Sequence, residues 1–435
     1  MTPETIGFIL LAVFIILVAV GMNIAVALGL VGVVGVMIFS GPGAGLSMLG
    51  IVPFRTVAVF GFAALPLFII MGEFAFHAGL TSELFNTMNT WFGRLPGGMG
   101  MAIFFGCAAF GAVSGSGMVG SMAMARASWK ELMKFGYDRG LASACIASAG
   151  SLAVLIPPSV MGTLYGMFTN TPITSVLMAG AIPGLVTTLA LTALMYVRAK
   201  LNPTIAPPGP KSTWKQKFFA LKTIWSVIVL AGIVTGGLYG GLFTATEAAG
   251  AGAFGALIIA LMQRKLTWHR LGEACLATTK MTSFVFLIMI GAFMFSKLLV
   301  LSDISPSLGA WVGGLQAPRV VILIGILTMY IFLGMFMDAT SMLAVSISTV
   351  FPIVIGLGYD PVWFGVVFIM MVEIAAISPP VGLAVFAVKA VLGDEVELWT
   401  IYKNTYQFWL SYIGVVALLI MFPQIALWLP STMNG

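Results

Sequence analysis

Residues 150–162 read GSLAVLIPPSVMG, an apolar run of membrane character interrupted by two adjacent prolines, Pro157 and Pro158. Each proline removes a backbone donor and clashes with the turn before it, and in lipid the freed carbonyls find no water. Such a break is tolerated at membrane depth only where protein or a wet cavity surrounds it, so this stretch predicts a buried site inside a helical membrane protein.

The rest of the chain agrees. Of 435 residues 60% are hydrophobic and 8% charged, too few polar groups to coat a soluble surface. The apolar runs are continuous over about 20 residues, which fits helices; barrel strands would alternate. Three cysteines, Cys107, Cys145 and Cys275, form neither a disulfide framework nor a metal spacing. The N-terminal MTPETIGFILLAVFIILVAVG lacks a basic flank, which predicts a retained first span rather than a cleaved signal. The net charge of +6 records orientation in the lipid bilayer and does not imply a nucleic-acid partner.

Hydropathy predicts ten spans, near 4–21, 23–40, 54–79, 139–170, 175–197, 219–240, 243–263, 281–300, 361–392 and 405–429. Two more apolar stretches, 99–125 and 320–355, are interrupted by SGSG and MDATSM and read as re-entrant helical hairpins. With both termini outside, 17 Lys and Arg fall on the inner side and only Arg55, Lys297 and Arg319 on the outer side.

An internal repeat organises the chain. GYD at 136–138 is followed after 21 residues by Pro157–Pro158, and GYD at 358–360 is followed after 21 by Pro379–Pro380. LFIIMGEFAF at 67–76 matches FLIMIGAFMF at 286–295, an offset of 219 against 222 for the GYD pair. Five spans per half is an odd number, so the second copy enters inverted. The expected architecture is all-α and polytopic. Residues 1–200 form the first repeat, 201–217 a Pro-rich cytoplasmic linker, and 218–435 the second repeat.

The hairpin tips and the breaks form one constellation. Ser114, Ser116 and Ser121 in the first tip, and Asp338, Thr340 and Ser341 in the second, are hard oxygen ligands that suit an alkali cation. Half-helix N-termini at the midplane suit anionic groups, which places a substrate pathway near Pro157, Pro158, Ser159, Ser341 and Pro380. Glu373 joins it as an ionisable residue inside an apolar run. Asp138 and Asp360 open their spans and are expected to cap helices. Small residues at such tips also serve close helix packing.

The SGSG hairpin, GYD with IPPS, MDATSM and EIAAISPPVGLAVF together resemble the large membrane subunit (M, DctM-like) of tripartite ATP-independent periplasmic (TRAP) transporters, over nearly the whole chain. The resemblance implies a Na⁺-coupled elevator of the ion transporter superfamily type, with a transport domain sliding against a scaffold in the bacterial inner membrane. It implies two partners: a small four-helix membrane subunit (Q), expected as a separate chain, and a soluble periplasmic substrate-binding protein (P). One Na⁺ site would draw on Ser114, Gly115 and Ser116 with backbone from Gly150 to Pro157. The other would draw on Asp338, Ala339 and Thr340 with backbone from Ala376 to Pro379. The cargo would be a small organic anion, such as a carboxylate.

Rival functions find less support. No Gly-Lys dipeptide occurs, so there is no Walker A loop. An intramembrane protease using Ser114 needs a base, and the only histidines, His77 and His269, fall at predicted inner ends. A channel can also be built from broken helices, and Na⁺-dependent flux at carrier rates separates the two.

Overall fold

The computed structural model describes residues 1–433, and no strand occurs among them. Positions 434 and 435, which close the second predicted repeat, lie outside the described residues. Lipid offers the backbone no partners, so the apolar runs satisfy their own N–H and C=O groups as helices.

Each predicted span coincides with a helix or a broken pair, but several ends differ. Six helices are long and apolar enough to cross a membrane, and two bent pairs bring the number to eight. The first bent pair, Arg139–Leu155 with Val160–Thr169, turns through 48° at the Pro157–Pro158 break. Pro3–Ala19 and Ile24–Ser40, at 17 residues each, extend about 26 Å at 1.5 Å per residue, close to the hydrocarbon thickness. Phe8, Ile9, Ile15 and Ile16 stand exposed on the first of them, a face that suits lipid.

The predicted span 54–79 is two elements. Residues to Val57 belong to Pro42–Val57, the chain turns at Val59 in extended conformation, and the span proper is Phe60–His77. The predicted 281–300 lies within one helix of 34 residues, Trp268–Leu301, about 51 Å long. Its start is capped by Thr267, whose hydroxyl accepts from the Arg270 N–H at 3.3 Å. The predicted 405–429 begins earlier, as Leu398–Met421, and ends before Pro423, which cannot continue it.

Both hairpins form. The first is Gly98–Ser114 with Gly117–Lys134, nine residues past the predicted end at 125. The extra turns are amphipathic, with Trp129 and Leu132 buried and Arg126 and Lys130 exposed, so charge lowers the hydropathy without ending the helix. The second is Arg319–Gly334 with Ala339–Gly356. The two breaks share a feature no hydropathy profile shows: Pro157–Pro158 and Pro379–Pro380 are both cis. Pro157 and Pro158 are buried, whereas Pro379 and Pro380 are exposed.

Glycine permits a close helix crossing. A Cβ at Gly32 would fall 2.6 Å from the Met294 carbonyl carbon, and one at Gly291 would fall 2.4 Å from the Ala25 oxygen. Helices Ile24–Ser40 and Trp268–Leu301 therefore approach backbone to backbone. The segment 201–217 is fastened to the first half and does not run loose. The N–H groups of Gly97, Asp138 and Gly209 donate to Ala206, Ile205 and Gly93 carbonyls at 3.2, 2.9 and 2.7 Å, and a helix begins at Trp214.

Candidate functional site

The two hairpin tips meet at a cavity of about 470 Å³, within the range of small-ligand sites. Gly115, Ser116 and Gly117 line it from the first tip; Asp338, Ala339 and Thr340 line it from the second. Glu373 and Ala376 face it from the helix before the second break. Ala277, Lys280, Met281, Phe284 and Val285 on the long helix Trp268–Leu301 also line it. Most of the lining is apolar, and Lys280 is its single cation.

The tips are built differently. Asp338 caps helix Ala339–Gly356: its carboxylate accepts from the N–H groups of Thr340 and Ser341 at 3.0 and 3.1 Å, and from the Ser341 hydroxyl. Its charge is thus met by donors of its own helix. Ser116 occupies the same position before Gly117–Lys134, in extended conformation, and its side chain makes no capping bond. The first N–H groups of that helix keep their donors, and two residues that carry them, Gly117 and Met118, line the cavity. One tip fills its positive helix end with a carboxylate of its own; the other has no cap of its own, and the carboxylate nearest to it is that of Glu373, from a different helix.

The first tip rests on the first break. Gly115 has φ +62°, a Cβ there would fall 2.6 Å from the Pro158 oxygen, and its carbonyl accepts from the Val160 N–H at 3.3 Å. A Cβ at Gly150 would fall 2.5 Å from the Gly117 oxygen. Around this junction the hydroxyls of Ser114 and Ser148 are buried with no hydrogen-bond partner among the described residues, while that of Ser151 faces Glu373 and Tyr412. Unsatisfied buried oxygens are the chemistry an alkali cation would complete. Glu373 is 6% exposed, and its Oε2 lies 3.4 Å from where a Cβ on Gly117 would sit.

Other predicted residues stand elsewhere. Ser114, Gly150, Pro157, Pro158, Ser159, Ser341, Pro379 and Pro380 do not line the cavity. Ser159 caps the helix after the break by accepting from the Gly162 N–H at 3.0 Å, and Ser341 serves Asp338. At the second break several carbonyls already have donors. Tyr402 donates to the Pro380 and Val381 oxygens at 3.1 and 2.8 Å, and Thr405 donates to the Ile377 oxygen at 3.2 Å. Asp138 and Asp360 cap their helices as expected. Glu247 closes a capping box with Thr244. Of the histidines, His77 approaches Glu73 at 3.8 Å and His269 approaches Glu273 at 3.3 Å.

Lys280 is the residue sequence reasoning missed. It counts there only as an inner-side cation, one residue before the predicted span 281–300, and nothing local marks it as facing the hairpin tips.

A family model described as "Tripartite ATP-independent periplasmic transporter, DctM component" matches residues 11–425. The isethionate TRAP transporter permease protein DctMQ of Oleidesulfovibrio alaskensis is 30% identical over 390 residues, which cover 89% of this chain and 61% of that protein. The C4-dicarboxylate TRAP transporter large permease protein DctM of Pseudomonas aeruginosa is 30% identical over 374 residues, 84% of this chain and 85% of that protein. Among solved structures, the YdaH transporter of Alcanivorax borkumensis superposes with a TM-score of 0.60 at 14% identity. The match covers 88% of this chain and 90% of that one, a likeness of fold alone.

Proposed function

This chain belongs to the DctM component family of tripartite ATP-independent periplasmic transporters, and from that premise we propose that it is a Na⁺-coupled permease for a small organic anion. It is a transporter component and not an enzyme. The cargo reading is supported by the cavity itself: the uncapped N-terminus at Gly117 and the cation Lys280 offer donors and positive charge to a carboxylate or sulfonate, in a lining that also holds Glu373 and the capped Asp338. The relatives named for isethionate and C4-dicarboxylates carry small organic anions in their names, which points the same way.

In this reading Na⁺ is co-transported cargo. At the first tip, Ser114, Gly115 and Ser116 with backbone from Gly150 onward hold one ion, and the partnerless Ser114 hydroxyl supports that assignment. At the second, Asp338, Ala339 and Thr340 with the end of Pro361–Ala376 hold another. The carbonyls already bonded to Tyr402 and Thr405 narrow the second set toward the tip. Occupied tips fix the cavity's shape, so that the anion binds well only with Na⁺ present. The hairpins and broken helices then travel as one body against the long helix Trp268–Leu301, in an elevator cycle. A small membrane subunit completes the scaffold and a soluble binding protein delivers the anion at the periplasmic face of the inner membrane, the side on which both termini lie.

The observation that carries this reading is the pairing of an uncapped helix end with Lys280 in one cavity. The test is uptake into vesicles that contain the chain with its small subunit and loaded binding protein. Uptake requires an inward Na⁺ gradient; undiminished uptake with K⁺ or choline in place of all Na⁺ removes the coupling.

A further inference from the structure

A second and larger cavity, about 1200 Å³, opens between helix Pro42–Val57, the corner at Gly166–Ile173 and the far end of Trp268–Leu301. Two of the three cations that sequence places on the outer side, Arg55 and Lys297, line it. No Asp or Glu lines it, and neither cation lies within 4.0 Å of a carboxylate among the described residues. Ser40, Ser47 and Asn170 add neutral polar groups to the same wall. Cations gathered in a concave, low-dielectric wall without counter-charge focus a positive potential into the space they enclose.

The long helix ties this cavity to the one at the tips. Taking every fourth residue along it, Ala277, Met281 and Val285 line the inner cavity, while Phe293, Lys297 and Leu301 line the outer one. Met289, fully buried, stands between them. Eight residues separate Val285 from Phe293, about 12 Å of helix, and Lys280 and Lys297 lie about 25 Å apart along it. One helix thus gives each cavity a single lysine.

We propose that the outer cavity is an anion-capture site, in which Arg55 and Lys297 hold a small carboxylate or sulfonate before it reaches the hairpin tips. The proposal rests on the reading of the cargo as a small organic anion. Arg55 supplies a planar fork that can take two oxygens of such a group, and Lys297 a compact charge on a different helix. The site holds its anion weakly, since both cations are exposed to solvent and screened by salt. Weak holding suits a station that must release forward.

The test uses the full chain in nanodiscs, where both faces meet reagent and orientation plays no part. Cys107, Cys145 and Cys275 are replaced by alanine and Ser47→Cys provides one thiol at the cavity wall. Its rate of modification is measured with the anionic sulfonatoethyl and the cationic trimethylammonioethyl methanethiosulfonates, each relative to a small free thiol. The ratio of anionic to cationic rate is expected to be about tenfold higher than in the same protein carrying Arg55→Gln and Lys297→Gln. Millimolar succinate or isethionate slows the reaction when both cations are present, while chloride at equal ionic strength does not. A ratio unchanged by the two substitutions overturns the proposal, and so does a high ratio without protection, which describes a field and not a site. The protection measurement needs neither variant, so misfolding of the glutamine protein leaves the proposal open to refutation. Protection that persists when Na⁺-driven uptake fails would remove the coupling and leave this site; uptake without protection would do the reverse.

Discussion

Replacing Ser116 by Asp would give the first tip the carboxylate that the second already has. Ser116 stands at the N-cap of Gly117–Lys134 in extended conformation with no capping bond, and Asp338 shows what an aspartate does at the equivalent place, accepting from two N–H groups at 3.0 and 3.1 Å. A cap gained at this position contributes about 1 kcal/mol, and a negative charge at a helix N-terminus a further 0.3–1 kcal/mol or so. The protein should become more stable, by roughly 1–2 °C in Tm for a chain of this size. Transport should suffer. The new carboxylate takes the donors the cargo would use and repels it by about 1–4 kcal/mol at 4 Å, between the limits of water and a partly screened interior. At 1.4 kcal/mol per tenfold, half-saturation should rise roughly 5-fold to several hundredfold. The assay pairs thermal unfolding in nanodiscs with Na⁺-driven uptake over a range of binding-protein concentrations. Ser116→Asn, which caps without charge, separates occupied donors from repulsion. A Ser116→Asp protein that is more stable and takes up substrate with an unchanged half-saturation would refute the assignment of this helix end to the anion.

The remaining expectations are narrower. Asp338→Asn should keep the cap, since Asn and Asp serve about equally there, and should raise the Na⁺ concentration for half-maximal uptake; if that concentration stays fixed and only Asp338→Ala loses stability, Asp338 is a cap alone. Gly32→Ala should destabilise the chain by at least about 2 kcal/mol, because its Cβ would fall 2.6 Å from the Met294 backbone, whereas Gly232→Ala, with nothing within 4 Å, should be tolerated; equal melting of the two would refute the close crossing. Single cysteines at Lys211 and Asn170, in a background without the native three, should react with impermeant maleimide from opposite sides of the membrane. Reaction of both from the periplasm would overturn the assigned orientation.

Much of this protein is legible in the chain because the signals are local. Apolar runs fix helices in lipid by the demand for internal hydrogen bonds, and Asp138 and Asp360 announce caps that reach only two or three residues onward. The paired prolines and the interrupted hairpins are visible for the same reason, and their combination carried the family. Where a charge or a turn falls inside an amphipathic stretch, hydropathy fails, as at 126–134 and 54–59. The site itself is a different matter. That Gly115 rests against Pro158, that Glu373 lies beside Gly117, that Lys280 shares a cavity with both tips and that Arg55 and Lys297 share another are juxtapositions of residues up to about 260 positions apart. Periodicity and capping act within a turn or two of helix, while a cavity exists only where distant helices, brought together by glycine crossings such as Gly32 on Met294, leave space between them. Sequence therefore determined the elements and the chemistry available to them, and packing alone decided which of those groups face one another.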